Sequence, residues 1–172
     1  MDSNYTVDMK ILHKVTPAKK AKTKESQNVA YIYAVILTIL VVAQLFTFDK
    51  FQTILENYLL PGGVPVAHLI GGVLVCSAVL ALPFLFSFKL SPLMRVTSMV
   101  LGWLVPVLWL FLTIWLAFST NVATNVGFLG SVVTLTPGWW AVFVSIALGI
   151  LAAWSSWGLW PFGSRTPVSN KK

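Results

Sequence analysis

The stretch VTSMVLGWLVPVLWLFLTIWLAF, residues 96–118, decides the fold class. It holds 23 consecutive residues without Asp, Glu, Lys or Arg. As an α-helix rising about 1.5 Å per residue, it covers the roughly 30 Å hydrocarbon thickness of a bilayer. Its polarity does not alternate with helical period, as it would on the surface of a soluble domain. Every face is apolar, so the segment reads as a membrane span. Pro106 near its middle predicts a kink.

The same reading extends outward. Residues 26–48, 57–88 and 96–164 carry no Asp, Glu, Lys or Arg. Of the 172 residues, 57% are apolar and only 10% charged, against about 25% charged in an average soluble domain. A soluble chain this poor in charge could not cover its surface. The composition therefore excludes a soluble enzyme, a disordered tail protein and a disulfide-stapled secreted domain. Four spans are expected, at about 29–48, 64–86, 96–118 and 138–160. The fold class is an all-α bundle of four transmembrane helices. The first span starts too far along the chain, and lacks the small-residue site, for a cleaved signal peptide.

Between the first two spans the pattern changes. Phe51, Ile54, Leu55, Tyr58 and Leu59 follow i, i+3, i+4, i+7, i+8 spacing, with Lys50, Gln52, Thr53, Glu56 and Asn57 on the other side. This predicts a short amphipathic helix lying at the interface or covering the mouth of the bundle. Asp49 is the expected N-cap, with Gln52 as capping-box partner. Pro61-Gly62-Gly63 ends the helix. Residues 87–95 are expected to form a tight loop, and 119–137 an uncharged loop rich in Thr, Asn, Gly and Val.

Twelve Lys and Arg against five Asp and Glu give a net charge of +7. The basic residues concentrate in the tails 1–28 and 161–172 and around Lys89 and Arg95, where anionic lipid is a nearer partner than nucleic acid. With both termini in the cytoplasm, eleven of the twelve lie inside and only Lys50 outside. The positive-inside rule thus places the chain as a multi-pass protein of the plasma (inner) membrane with cytoplasmic termini.

Small residues mark expected helix contacts: Ala67 with Gly71 and Gly72 with Cys76 in the second span, and Ala141, Ser145, Gly149 and Ala153 along the fourth. Cys76, the single cysteine, reads as a buried small hydrophobe. Gln44 is expected to reach headgroups or a neighbouring helix. Trp139 and Trp140 at one end of the fourth span, and Trp154, Trp157 and Trp160 at the other, fit two aromatic belts.

Signs of chemistry are sparse. No ionisable carboxylate or cation interrupts a span, which argues against proton-coupled transport. Asp49, Lys50, Glu56 and His68 form a candidate interfacial cluster. No cofactor is expected. The alternative is a quinone or haem shared with a partner subunit near His68 and Trp139. No metal site is expected.

The order of elements, with Asp49-Lys50-Phe51 after the first span and Tyr58-Leu59-Leu60-Pro61 before the second, resembles the DoxX/MauE-like superfamily of four-helix membrane proteins. Asn125-Val126-Gly127-Phe128-Leu129-Gly130 falls where MauE-like proteins carry a Cys-Gly-Cys-Phe-Gly type loop. Here Val126 and Phe128 occupy that region, and the loop cysteines are missing. The resemblance implies a scaffold related to subunits of quinone-linked oxidation and cofactor maturation. Three functions stand open: a membrane scaffold or accessory subunit, docked to a protein partner or a second copy; a subunit of a quinone-linked oxidoreductase; and a small-molecule channel or transporter.

Overall fold

The computed structural model describes residues 24–119 and 123–158. It contains α1 (Lys24–Phe46), α2 (Phe48–Glu56), α3 (Gly63–Leu85), α4 (Pro92–Phe118) and α5 (Trp139–Gly158). Four of these, α1, α3, α4 and α5, are long and apolar enough to cross a membrane. The chain is a multi-pass integral membrane protein, with the short α2 between the first two crossings.

The four long helices pack in a ring: α1 on α3, α3 on α4, α4 on α5, and α5 back on α1. Successive crossings run antiparallel, giving an up-down-up-down bundle. Ala30, Ala34, Leu37, Leu74, Ala78, Val105, Leu112, Leu148 and Ala152 fill the interior. Across the ring, the Tyr33 hydroxyl of α1 donates to the Gly102 carbonyl of α4 at 2.7 Å. Gly102 is also where α3 and α4 approach, since a Cβ there would meet Ala81 at 3.5 Å. Outward faces carry Ile32, Ile39, Leu69, Leu80, Val107, Phe143 and Ile150, all exposed. Such a surface is stable only where hydrocarbon wets it.

The helix ends depart from expectation in instructive ways. α1 already includes Lys24 to Asn28 and stops at Phe46, where Thr47 turns the chain into α2. The rest of the N-terminal tail, the C-terminal tail and Trp160 lie outside the described residues. α4 begins at Pro92, four residues before the expected start, because Ser91 caps it. The Ser91 hydroxyl accepts from the Met94 amide at 3.3 Å, and Pro92 sits at the first turn, where a missing N–H costs nothing. Arg95 is therefore a helical, largely buried residue rather than a loop residue.

α2 also differs from its expected capping. Thr47 occupies the N-cap position, and no side chain caps the helix. Asp49 lies inside the first turn, where a carboxylate favours the positive end of the helix dipole without capping it. The helix ends at Glu56, so Leu59 leaves the apolar stripe. It sits in the turn with φ of 49° and is 68% exposed.

Two expectations about small residues are corrected. Gly72 faces outward, with no atom within 4 Å of a built Cβ, and Cys76 is exposed rather than buried. Both lie on the lipid-facing side of α3. Gly71 does meet a helix, but it is α2: a Cβ there would lie 2.9 Å from Leu55 Cδ1 and from Gln52 Oε1.

Candidate functional site: the lid end and the open groove

Both distinctive features of the bundle follow from where polar and small residues fall. At one end, α2 and residues 123–138 close the mouth. Residues 125–130 there are irregular and mostly buried, and in such a setting every N–H and C=O needs a partner.

The loop builds itself around Asn125. Its Oδ1 accepts from the Gly127 and Leu135 amides at 3.0 Å each, and its Nδ2 donates to the Gly130 carbonyl at 3.1 Å. The Val126 amide donates to the Leu135 carbonyl at 2.8 Å. Gly127 and Gly130 take φ of 73° and 58°, a region an L side chain enters at a cost of about 1–2 kcal/mol.

The folded loop is then pinned to the bundle. Gln44, fully buried near the end of α1, donates through Nε2 to the Phe128 carbonyl at 2.8 Å. Thr47 Oγ1 accepts from the Ser131 amide at 3.0 Å. The Tyr58 hydroxyl, beyond α2, donates to the Val126 carbonyl. Trp115 Nε1 of α4 donates back to the Tyr58 carbonyl at 2.9 Å. Burial raises the Tyr58 phenol pKa well above its usual value.

Aromatic packing completes the plug. The Phe128 ring lies 4.4 Å from the ring of Trp109, and Phe51 of α2 lies 6.4 Å from that same indole. Phe51, Tyr58, Trp109 and Val126 are all fully buried. Three buried polar atoms here lack a hydrogen-bond partner among the described residues: Gln44 Oε1, Gln52 Oε1 and Trp109 Nε1. Each carries a desolvation cost of about 1–3 kcal/mol. The Asn125–Gly130 segment is thus a buried structural element, made of groups that bind one another.

The interfacial cluster divides. His68 Nε2 meets Glu56 Oε1 at 2.6 Å, tying the end of α2 to the first turns of α3, with both side chains partly exposed. Asp49 and Lys50 are exposed at the other end of α2. A cofactor on His68 Nε2 would have to displace Glu56. Trp139 packs edge-on against Phe118, with ring centroids 5.6 Å apart, and is 56% exposed. Among the described residues, no group of three or more His, Cys, Asp or Glu comes together to hold a metal ion.

The second feature lies along α5. Ala141 and Ser145 of the small-residue stripe are buried, and Ser145 Oγ meets Thr113 Oγ1 of α4 at 3.2 Å. Further along, the stripe does not close on its neighbour. Ser145, Gly149 and Ala153 line a groove of about 300 Å³ against Trp103, Pro106 and Leu110 of α4. The nearest atom to a Cβ built on Gly149 is Pro106 Cβ, at 4.0 Å. Pro106 helps keep the groove open, because its ring occupies the side of α4 that α5 would otherwise approach. The groove opens toward the hydrocarbon, between the exposed Val107 and Ile150.

Comparison with family models, curated proteins and solved structures returns no match.

Of the residues that organise these two features, sequence patterning marks the stripe on α5 and the buried face of α2. It misses the tie between Gln44 and Phe128, and the roles of Thr47, Trp109, Trp115 and Asn125. The only local signals for the plug are the Asn and the paired glycines of Asn125–Gly130.

Proposed function

We propose that this chain is an integral membrane scaffold or accessory subunit without its own catalytic centre, and that the groove between α4 and α5 receives a transmembrane helix of a partner protein. The observation that carries this reading is the groove at Gly149 and Ala153, beyond the buried Ser145, open toward hydrocarbon. Water does not drive helix association inside a bilayer. Close backbone approach at small residues does, through van der Waals contact. The bundle's polar side chains at the lid end are largely engaged in holding its own loop, which leaves the groove as the feature addressed to a neighbour. The excess of Lys and Arg on one side supports termini in the cytoplasm of a plasma (inner) membrane.

The test is Gly149→Leu, which fills the groove without touching the lid. The full chain is purified in mild detergent from its native membrane, alongside the wild type. The proposal expects a defined partner with the wild type and its loss from the variant, with the thermal midpoint of the bundle unchanged. A wild-type particle that is strictly monomeric and carries no other protein contradicts it. So does a partner retained undiminished by the variant.

A further inference from the structure

The end of the bundle opposite the lid carries a second crevice, unrelated to the α5 groove. Leu80 and Pro83 of α3, Leu90 of the connecting turn, and Met94, Thr97 and Leu101 of α4 line a space of about 150 Å³. A dry apolar cavity of that size takes a six-carbon apolar fragment. It runs from the turn inward: Leu101 lies nine residues beyond Pro92, about 14 Å at the helical rise. That is close to the roughly 15 Å hydrocarbon depth of one leaflet.

The mouth of the crevice is positively charged. Lys89 immediately precedes Leu90 and is exposed. Its turn is fixed by the Ser87 amide donating to Phe84 O and the Phe88 amide to Pro83 O, both at 3.0 Å. The N-terminus of α4 contributes the positive end of a 27-residue helix. Thr97 supplies an exposed hydroxyl along the crevice.

We infer that this crevice binds one anionic phospholipid, with an acyl chain along Leu80, Thr97 and Leu101 and its phosphate at Lys89. A zwitterionic lipid would fill the crevice equally well but would gain less from the charge. A basic pocket between transmembrane helices at the membrane surface is a recognised headgroup site.

The full-length protein in detergent is offered equal amounts of dioleoylphosphatidylglycerol and dioleoylphosphatidylcholine, and the retained lipids are counted by native mass spectrometry. The wild type is expected to retain phosphatidylglycerol in about fivefold preference, the worth of one Lys near an anionic headgroup. Lys89→Gln removes most of that preference, and Lys89→Arg keeps it. Thr97→Phe, a change at an exposed position that obstructs the crevice, lowers retention of both lipids. Equal retention of the two lipids by the wild type overturns the inference. So does a preference that survives both Lys89→Gln and Thr97→Phe, which would assign it to the basic termini.

Discussion

Replacing Gly130 by Ala tests whether residues 123–138 are a docked part of the bundle. The added Cβ would lie 2.3 Å from Thr47 Oγ1, 3.0 Å from the Ala43 carbonyl oxygen and 3.3 Å from Gln44 Cα. The hydroxyl is able to rotate, but the other two atoms belong to the α1 backbone and cannot yield. Gly130 also sits at φ of 58°, which costs an alanine about 1–2 kcal/mol before any clash. The loop must retreat from α1, and the Gln44–Phe128 and Thr47–Ser131 hydrogen bonds go with it, each worth about 0.5–1.5 kcal/mol net. The total is about 2–5 kcal/mol. Amide hydrogen exchange in lipid nanodiscs reads this locally at Val126, Gly127, Ser131 and Leu135. A loss of 3 kcal/mol speeds exchange there by about 150-fold. Gly72→Ala is the control. Its Cβ meets nothing within 4 Å, and alanine is the better helix former by about 1 kcal/mol, so loop exchange stays unchanged. If Gly130→Ala leaves these four amides as protected as in the wild type, the docking described above is wrong.

Three further outcomes follow from individual contacts. Tyr58→Phe strands the Val126 carbonyl and destabilises the protein by about 1–3 kcal/mol in chemical unfolding at neutral pH. Burial raises the Tyr58 pKa in the folded state, so its unfolded phenol ionises first, near pH 10. The wild type therefore loses stability as pH climbs above about 10, and the variant shows a shallower loss; identical slopes would be inconsistent with a buried phenol. Ser145→Ala costs only about 0.6 kcal/mol by steric-trap unfolding, the usual worth of a hydrogen bond between transmembrane helices, because Thr113 Oγ1 retains its bond to Trp109 O at 2.8 Å. Gln44→Met removes a hydrogen bond and an unpartnered acceptor together. Its unfolding free energy thus stays within about 1 kcal/mol of wild type, and a loss beyond 3 kcal/mol would mean that Gln44 Oε1 has a partner after all.

The four crossings were legible because hydrocarbon imposes one rule on every residue of a span, and composition alone records obedience to it. The buried stripe of α2 was legible for a related reason: Phe51, Leu55 and Tyr58 recur at helical spacing. What composition does not record is direction. α3 is apolar on all sides, so nothing in its pattern distinguishes the core face of Leu74 and Ala78 from the lipid face of Gly72 and Cys76. The start of α4 was hidden by the charge of Arg95, which suggested a loop, although Ser91-Pro92 carries a helix-start signal. The plug at the lid end was the least visible. Gln44 and Phe128 are 84 residues apart, and no local periodicity announces a bond between a side chain and a distant carbonyl. The groove on α5 was half legible. Its small residues were plain, but that they stay open to lipid beyond Ser145 depends on the Pro106 side of a different helix.

The lid end depends on the loop after α4 folding back onto the end of α1. Thr47→Cys with Ser131→Cys, in a Cys76→Ser background, measures this directly in native membranes. The Thr47 hydroxyl and the Ser131 amide lie 3.0 Å apart, which sets the two residues side by side for a disulfide crosslinking test. Mild oxidation is predicted to join them nearly completely, and Lys50→Cys with Ser131→Cys to join far less. A pair that stays reduced while the Lys50 pair closes would show that the loop lies elsewhere.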